Sequence, residues 1–305
     1  MQARRPLPPP TLAALYPPIA GYRYFDAPGG IRFNPQLELH AQQQAWWLSE
    51  HALLAYAHAR SIQSCLASNG WHCSIARDCS SGSSAHVALG DDWGLIAFRG
   101  TEALKPGDSW RKISAVARDW WTDAQIRKVR WSGGGEVHRG FLRALDGLWP
   151  QLRPALTGDR RWWLCGHSLG GALATLAATR VLDAGARLAG SISFGQPRVG
   201  DDECAAALAR LPLLRVVNAC DLVPEMPPET LGYRHAGKLL HLDASHRQNY
   251  ARSVRSFWSR LPGNLRHGIG ALTPIELRDH APLHYAIKCF NAAWASDPPS
   301  GCQSS

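Results

Sequence analysis

Apolar positions along the chain follow two periodicities, and where one gives way to the other the fold class becomes readable. Between residues 41 and 68, Ala45, Leu48, Ala52, Leu53 and Tyr56 recur at spacings of three and four, which predicts one helix with a single buried face, closed by Asn69-Gly70. Segments 74–77 and 86–89 have the length and character of strands. The run 93–98 is continuously apolar apart from Gly94, as a strand covered on both faces would be. Further on, the two patterns take turns. A helix is expected over 141–156, a strand over 162–165, an Ala-rich helix over 169–182, a strand over 188–194, a helix over 201–211 and a strand over 213–217. Buried strands alternating with helices predict an α/β fold, a mostly parallel central sheet with helices on both faces.

The ends behave differently. Residues 1–36 are rich in Pro and Gly and read as an extended packing segment, 37–295 as one domain, and the tail 296–305 as a stretch without regular structure. With 45% hydrophobic and 19% charged residues in a chain of 305, a sizeable core is available, and disorder or collagen-like repetition is excluded. No run approaches the ~18 apolar residues of a transmembrane span. The basic pair Arg4-Arg5 is followed by Pro8-Pro9-Pro10 and Pro17-Pro18 rather than an apolar stretch, so no ordinary secretion signal is expected, and the location reads as cytoplasmic or reached by non-classical export.

Charge changes the picture little. The net charge of +9 comes mainly from arginines dispersed along the chain, the reverse of the clustering that nucleic-acid binding needs, and it suits a weak attraction to anionic lipid surfaces better. Eight cysteines show no C-x-x-C pair and no Cys/His grouping at zinc spacing, so no metal site is expected. Cys165 and Cys220 read as small buried hydrophobes, while Cys65, Cys73 and Cys79 lie close enough in sequence for a bridge.

The chemistry concentrates at Gly166-His167-Ser168-Leu169-Gly170-Gly171. This G-x-S-x-G segment lies between an expected strand and an expected helix, the context of a nucleophile elbow. Small residues two before and two after the serine let the backbone turn sharply, and the following helix directs its first N–H groups to the same point, so the Leu169 N–H can serve an oxyanion. A serine hydroxyl needs a base, and the base needs a carboxylate to orient it. In the chain order Ser, acid, His, the acid candidates are Asp221, just beyond the strand 213–217, and then Asp201 and Asp202. For the base, His280 precedes a helix that Pro282 can open, and His284 would fall in that helix's first turn.

Eight segments in one order resemble the class 3 lipases, the fungal-lipase-like branch of the α/β-hydrolase fold. They are FRGT at 98–101, DWWTD at 119–123, VHRGF at 137–141, the elbow at 166–171, FGQPRVG at 194–200, DLVPEMPP at 221–228, GYRH at 232–235, and His280 with Tyr285. The resemblance covers about 45–290. It implies Ser168 as nucleophile, Asp221 as orienting acid, His280 as general base, and Thr101 as the second oxyanion donor beside Leu169. It also implies local hydrogen-bonding roles for His138, His167 and His235. The implied activity is serine carboxylester hydrolysis of lipid esters without a cofactor, with phospholipase A chemistry or a silent binding protein on the same fold as alternatives. No protein partner is implied. Where the family carries a lid, this chain has an enlarged segment in which Trp110, Ile113, Val116 and Trp120 recur at helical spacing with Arg111, Lys112 and Arg118 between them. A basic amphipathic cover over residues 103–118, opening at a lipid interface, is the corresponding expectation, with an ordinary surface helix packed on the core as the alternative.

Overall fold

The computed structural model describes residues 4–9, 21–101, 126–242, 248–249 and 278–294. The helix expected over 41–68 is in fact two, α1 (Gln42–Leu54) and α2 (Ala59–Ser68). The break is a tightening of the last turn: the Tyr56 and Ala57 N–H groups bond to the carbonyls of Leu53 and Leu54, three residues back, and His58 is extended at φ −64°, ψ 150°. Strands β1 (His72–Asp78), β2 (Ser83–Leu89) and β3 (Trp93–Phe98) then form an antiparallel meander.

A short hairpin of β4 (Lys128–Arg130) and β5 (Glu136–His138) leads into α3 (Arg139–Leu152), whose first turn is capped by the His138 side chain accepting from the Phe141 N–H. The alternating half follows as β6 (Arg161–His167), α4 (Leu169–Asp183), β7 (Arg187–Phe194), α5 (Asp202–Leu208) and β8 (Leu213–Asn218). Beyond them come β9 (Lys238–Leu242), β10 (Gln248–Asn249) and α6 (Pro282–Trp294). Eight strands make one sheet in the order β1-β2-β3-β6-β7-β8-β9-β10. The pairings from β3 through β9 are parallel, and those at both edges are antiparallel.

Alternation along the strands sorts side chains into two cores. Ile96, Phe98, Trp162 and Leu164 face one cluster, with α3 and α4. Leu95, Ala97, Trp163 and Cys165 face the other, with α1 and α6. On α3 the buried residues Phe141, Ala144, Leu145, Leu148 and Leu152 form one stripe, and each large side chain contributes roughly 1.5–3 kcal/mol on full burial. Gly94 pairs with Trp162, and a Cβ there would lie 2.6 Å from the indole, which explains the one gap in the apolar run of β3. Phe25 and Phe33, from the Pro/Gly-rich start, pack into the α1/α6 cluster, so that segment is part of the core.

Cysteine usage corrects one expectation and settles another. Cys165 is buried, but Cys220 is exposed, because it sits in the turn after β8 rather than in the strand itself. Cys65, Cys73 and Cys79 are free thiols.

Candidate active site

Four parallel strands end at the same edge of the sheet, where ligands of open α/β sheets bind. β3 delivers Thr101, β6 delivers Ser168, β7 delivers Gly195 and β8 delivers Asp221. Ser168 has φ 57° and ψ −127°, a conformation that costs a non-glycine residue on the order of 1–3 kcal/mol and is held by its surroundings. Its N–H bonds to the Phe194 carbonyl at 2.8 Å, and its carbonyl accepts from the Gly171 N–H at 2.9 Å. The glycines around it are dictated by backbone proximity. A Cβ on Gly166 would lie 2.2 Å from the Gly170 carbonyl carbon and oxygen, and one on Gly170 would lie 2.2 Å from the Phe98 carbonyl oxygen.

The structure brings Ser168, His280 and Asp221 together. His280 Nε2 stands 2.9 Å from Ser168 Oγ, and its Nδ1 stands 2.8 Å from Asp221 Oδ2. Asp221 is 2% exposed, and its carboxylate also accepts from the Tyr285 hydroxyl at 2.5 Å and from the Val223 N–H at 2.9 Å. Burial, then the Asp221 charge, pushes the Tyr285 phenol well above its ordinary range, so it remains a donor. Gly195, at φ 59°, makes room for the pair, since a Cβ there would lie 2.8 Å from Asp221 Oδ2 and 2.9 Å from His280 Nδ1.

The competing candidates have other work. Asp201 Oδ1 accepts from the Cys204 N–H at 2.9 Å as the cap of α5 and from the Glu136 N–H at 3.1 Å, and Asp202 pairs with Arg234 at 2.9 Å. His284 is buried within α6, and the ring that reaches Ser168 is that of His280. His138 caps α3, in keeping with the local role the resemblance implies.

His167 does more than fill space. Burial, and after it the neighbouring His280 ring, hold it well below the ordinary histidine range, so it is neutral. Its Nε2–H donates to the His280 carbonyl at 2.6 Å, which leaves Nδ1 to accept from the Tyr56 hydroxyl at 2.8 Å. Tyr56 lies in the break between α1 and α2.

Leu169 opens α4, where first-turn N–H groups have no intrahelical acceptor. Thr101 is half-buried on the loop after β3, and that loop lies against the elbow: a Cβ on Gly100 would be 2.7 Å from the His167 carbonyl oxygen. Trp110, Ile113 and Val116, with the whole expected cover, lie outside the described residues, as does the tail 296–305. Among the described residues no group of His, Cys, Asp and Glu could hold a metal ion. Two neighbours of the site escaped sequence reasoning, Tyr56, which bonds His167, and Asn218, whose side chain donates to the Asp279 carbonyl. Each lies in an apolar run that by itself signals only burial.

A parallel sheet with this elbow at its carboxyl edge defines an α/β-hydrolase. Residues 95–231 match the sequence model of the lipase (class 3) family, and over that segment the chain is similar to class 3, fungal-lipase-like proteins. It is 27% identical to a lipase of Rhizomucor miehei over 230 residues, 69% of this chain and 60% of that protein. It is 34% identical to secreted mono- and diacylglycerol lipase 1 of Fusarium solani over 118 residues, 36% of this chain and 35% of that one. The chain thus spans about 60% of the length of the first relative and about a third of the second. Among solved structures, the Rhizomucor miehei triacylglyceride lipase superposes with a TM-score of 0.55 at 25% identity, covering 67% of this chain and 80% of that one. A triacylglycerol lipase described as having a serine protease triad at its catalytic centre gives 0.58 at 24% identity, covering 72% and 89%.

Proposed function

We propose that the protein is a serine carboxylester hydrolase acting on lipid esters, with acylglycerols as the substrate class. The observation that carries this reading is the line of contacts from Ser168 Oγ through His280 to Asp221, at 2.9 and 2.8 Å, on a strained elbow. His280 Nε2 takes the proton as Ser168 Oγ attacks the acyl carbonyl, and the N–H groups of Leu169 and Thr101 receive the oxyanion. The same imidazolium then protonates the departing alkoxide, leaving an ester of Ser168. Water, deprotonated by His280, attacks that ester and releases the fatty acid. Asp221 keeps the hydrogen on Nδ1 and stabilises the imidazolium in both halves.

Support for lipid substrates comes from the relatives, named as lipases and as mono- and diacylglycerol lipases. The test is a substrate panel of short p-nitrophenyl esters, mono-, di- and triacylglycerols, and phospholipids, run with the wild type and Ser168→Ala. The reading expects acylglycerol hydrolysis that Ser168→Ala abolishes. Hydrolysis confined to phospholipids would move the substrate class, and activity that survives Ser168→Ala would overturn the mechanism.

A further inference from the structure

His280 enters the site on a short stretch before α6, and the peptide carbonyls on both sides of it are held by buried side chains. On one side the His280 carbonyl accepts from His167. On the other, the Asp279 carbonyl accepts from Asn218 Nδ2 at 2.8 Å. Asn218, the last residue of β8, is fully buried, and all four of its polar groups are used by neighbours of the Ser168 site. Its N–H donates to the Tyr285 hydroxyl oxygen at 3.1 Å, the same hydroxyl that donates to Asp221. Its main-chain carbonyl accepts from the Asp221 N–H at 2.9 Å. Its Oδ1 accepts from Lys288 Nζ at 2.5 Å, and Lys288 is 3% exposed on α6.

The chemistry fixes which way the amide points. An ammonium is donor only, so Oδ1 must face Lys288, and a main-chain carbonyl is acceptor only, so Nδ2 must face Asp279. A buried lysine thus orients an amide, and the amide fixes the backbone beside the histidine.

Resting on the reading of His280 as base, we infer that Asn218, oriented by Lys288, is a positioning residue for the Ser168–His280–Asp221 array. It ties the turn carrying the acid and the loop carrying the base to one point at the end of β8. The alternative role is structural, with Asn218 serving only to satisfy the buried Lys288 ammonium.

Asn218→Asp separates the two. The carboxylate satisfies Lys288 at least as well as the amide does, but it presents an oxygen to the Asp279 carbonyl in place of a donor. The experiment measures kcat and KM for a soluble short-chain ester, the thermal midpoint, and the downfield proton NMR signal of the His280 Nδ1–H, for wild type, Asn218→Asp, Lys288→Met and His280→Ala. Expected for Asn218→Asp is a folded protein whose kcat falls on the order of 100-fold with KM little changed, and whose Nδ1–H signal is shifted or lost, since a misplacement of about 1 Å carries a cost of that size. Lys288→Met, which leaves the amide oriented by the Asp279 carbonyl alone, should show the same loss to a smaller degree. Wild-type kcat and an unchanged signal in folded Asn218→Asp, with His280→Ala inactive, would overturn this inference alone. A His280→Ala variant that keeps activity would overturn the assignment of the base, and this inference with it.

Discussion

Replacing Asp221 by Asn preserves shape and so isolates hydrogen-bond chemistry. In the native carboxylate, Oδ2 receives His280 Nδ1 and the Tyr285 hydroxyl, and Oδ1 receives the Val223 N–H. An amide has one acceptor oxygen for these two positions. With that oxygen toward Val223, the amino group faces His280 Nδ1, which must then be the bare nitrogen. Nε2 carries the hydrogen in that tautomer and cannot take the Ser168 proton. With the oxygen the other way, the amino group faces the buried Val223 N–H, and the lost acceptor costs about 1–3 kcal/mol. Either way one buried donor, the Tyr285 hydroxyl or the Val223 N–H, loses its acceptor, so the amide no longer enforces the productive tautomer as the carboxylate does. The missing negative charge beside the imidazolium adds to this, and the combined loss in kcat should be on the order of 10⁴, about 5 kcal/mol in the barrier, if the behaviour of serine-protease triads carries over. The assay is kcat on a soluble p-nitrophenyl ester at neutral pH, with circular dichroism and a thermal scan to show the fold intact. A folded Asp221→Asn within tenfold of wild type would refute the tautomer argument and the role of Asp221.

The remaining predictions use different parts of the site and core. His280→Ala should abolish ester hydrolysis while His284→Ala, Asp201→Asn and Asp202→Asn retain most of it; steady-state rates on the same ester decide, and an inactive, folded Asp202→Asn would contradict the acid assignment. Gly170→Ala forces a Cβ to 2.2 Å from the Phe98 carbonyl oxygen, so the two backbones must part; folded yield should fall, with destabilisation of about 1–3 kcal/mol or more in a thermal or urea melt. Glu50 on α1 is fully buried, accepting from the Tyr22 hydroxyl at 2.6 Å and the Phe25 N–H at 3.0 Å, and burial pushes its carboxyl up to about 7. The folded state therefore keeps a proton that the unfolded chain releases near its ordinary value of about 4.3, so this contribution is full at low pH and is lost as pH rises through about 7, on the order of 3 kcal/mol in all. Glu50→Gln should gain thermal stability relative to wild type between pH 5 and pH 8, and a difference independent of pH would contradict this.

What could be read from the chain follows the range of the interactions involved. Trp93–Phe98 and Leu169–Asp183 were legible because burial on all sides leaves continuous apolar runs, and because the elbow glycines answer to strictly local crowding. The break in the first helix was not, since Ala55, Tyr56 and Ala57 carry no stop signal and the turn shows only in the tightened backbone bonds to Leu53 and Leu54. The hairpin of β4 and β5 is too short for periodicity to register. Ser168, His280 and Asp221 were found through motif context and chain order. Asn218 carries no mark in the sequence and His167 only that of a local hydrogen-bonding role, because their partners beside His280 lie 61 and 113 residues away. Cys220 was misread for a related reason: it stands two residues past the buried end of β8, where burial has already ended.

The account stands on Ser168 being a nucleophile activated by His280, and stoichiometric labelling with a fluorophosphonate tests that most directly. Intact-mass and peptide mass spectrometry should find one adduct per chain, on Ser168, formed quickly in wild type and at near-background rate in His280→Ala. An adduct on another residue, or equally fast labelling of Ser168 without His280, would contradict it.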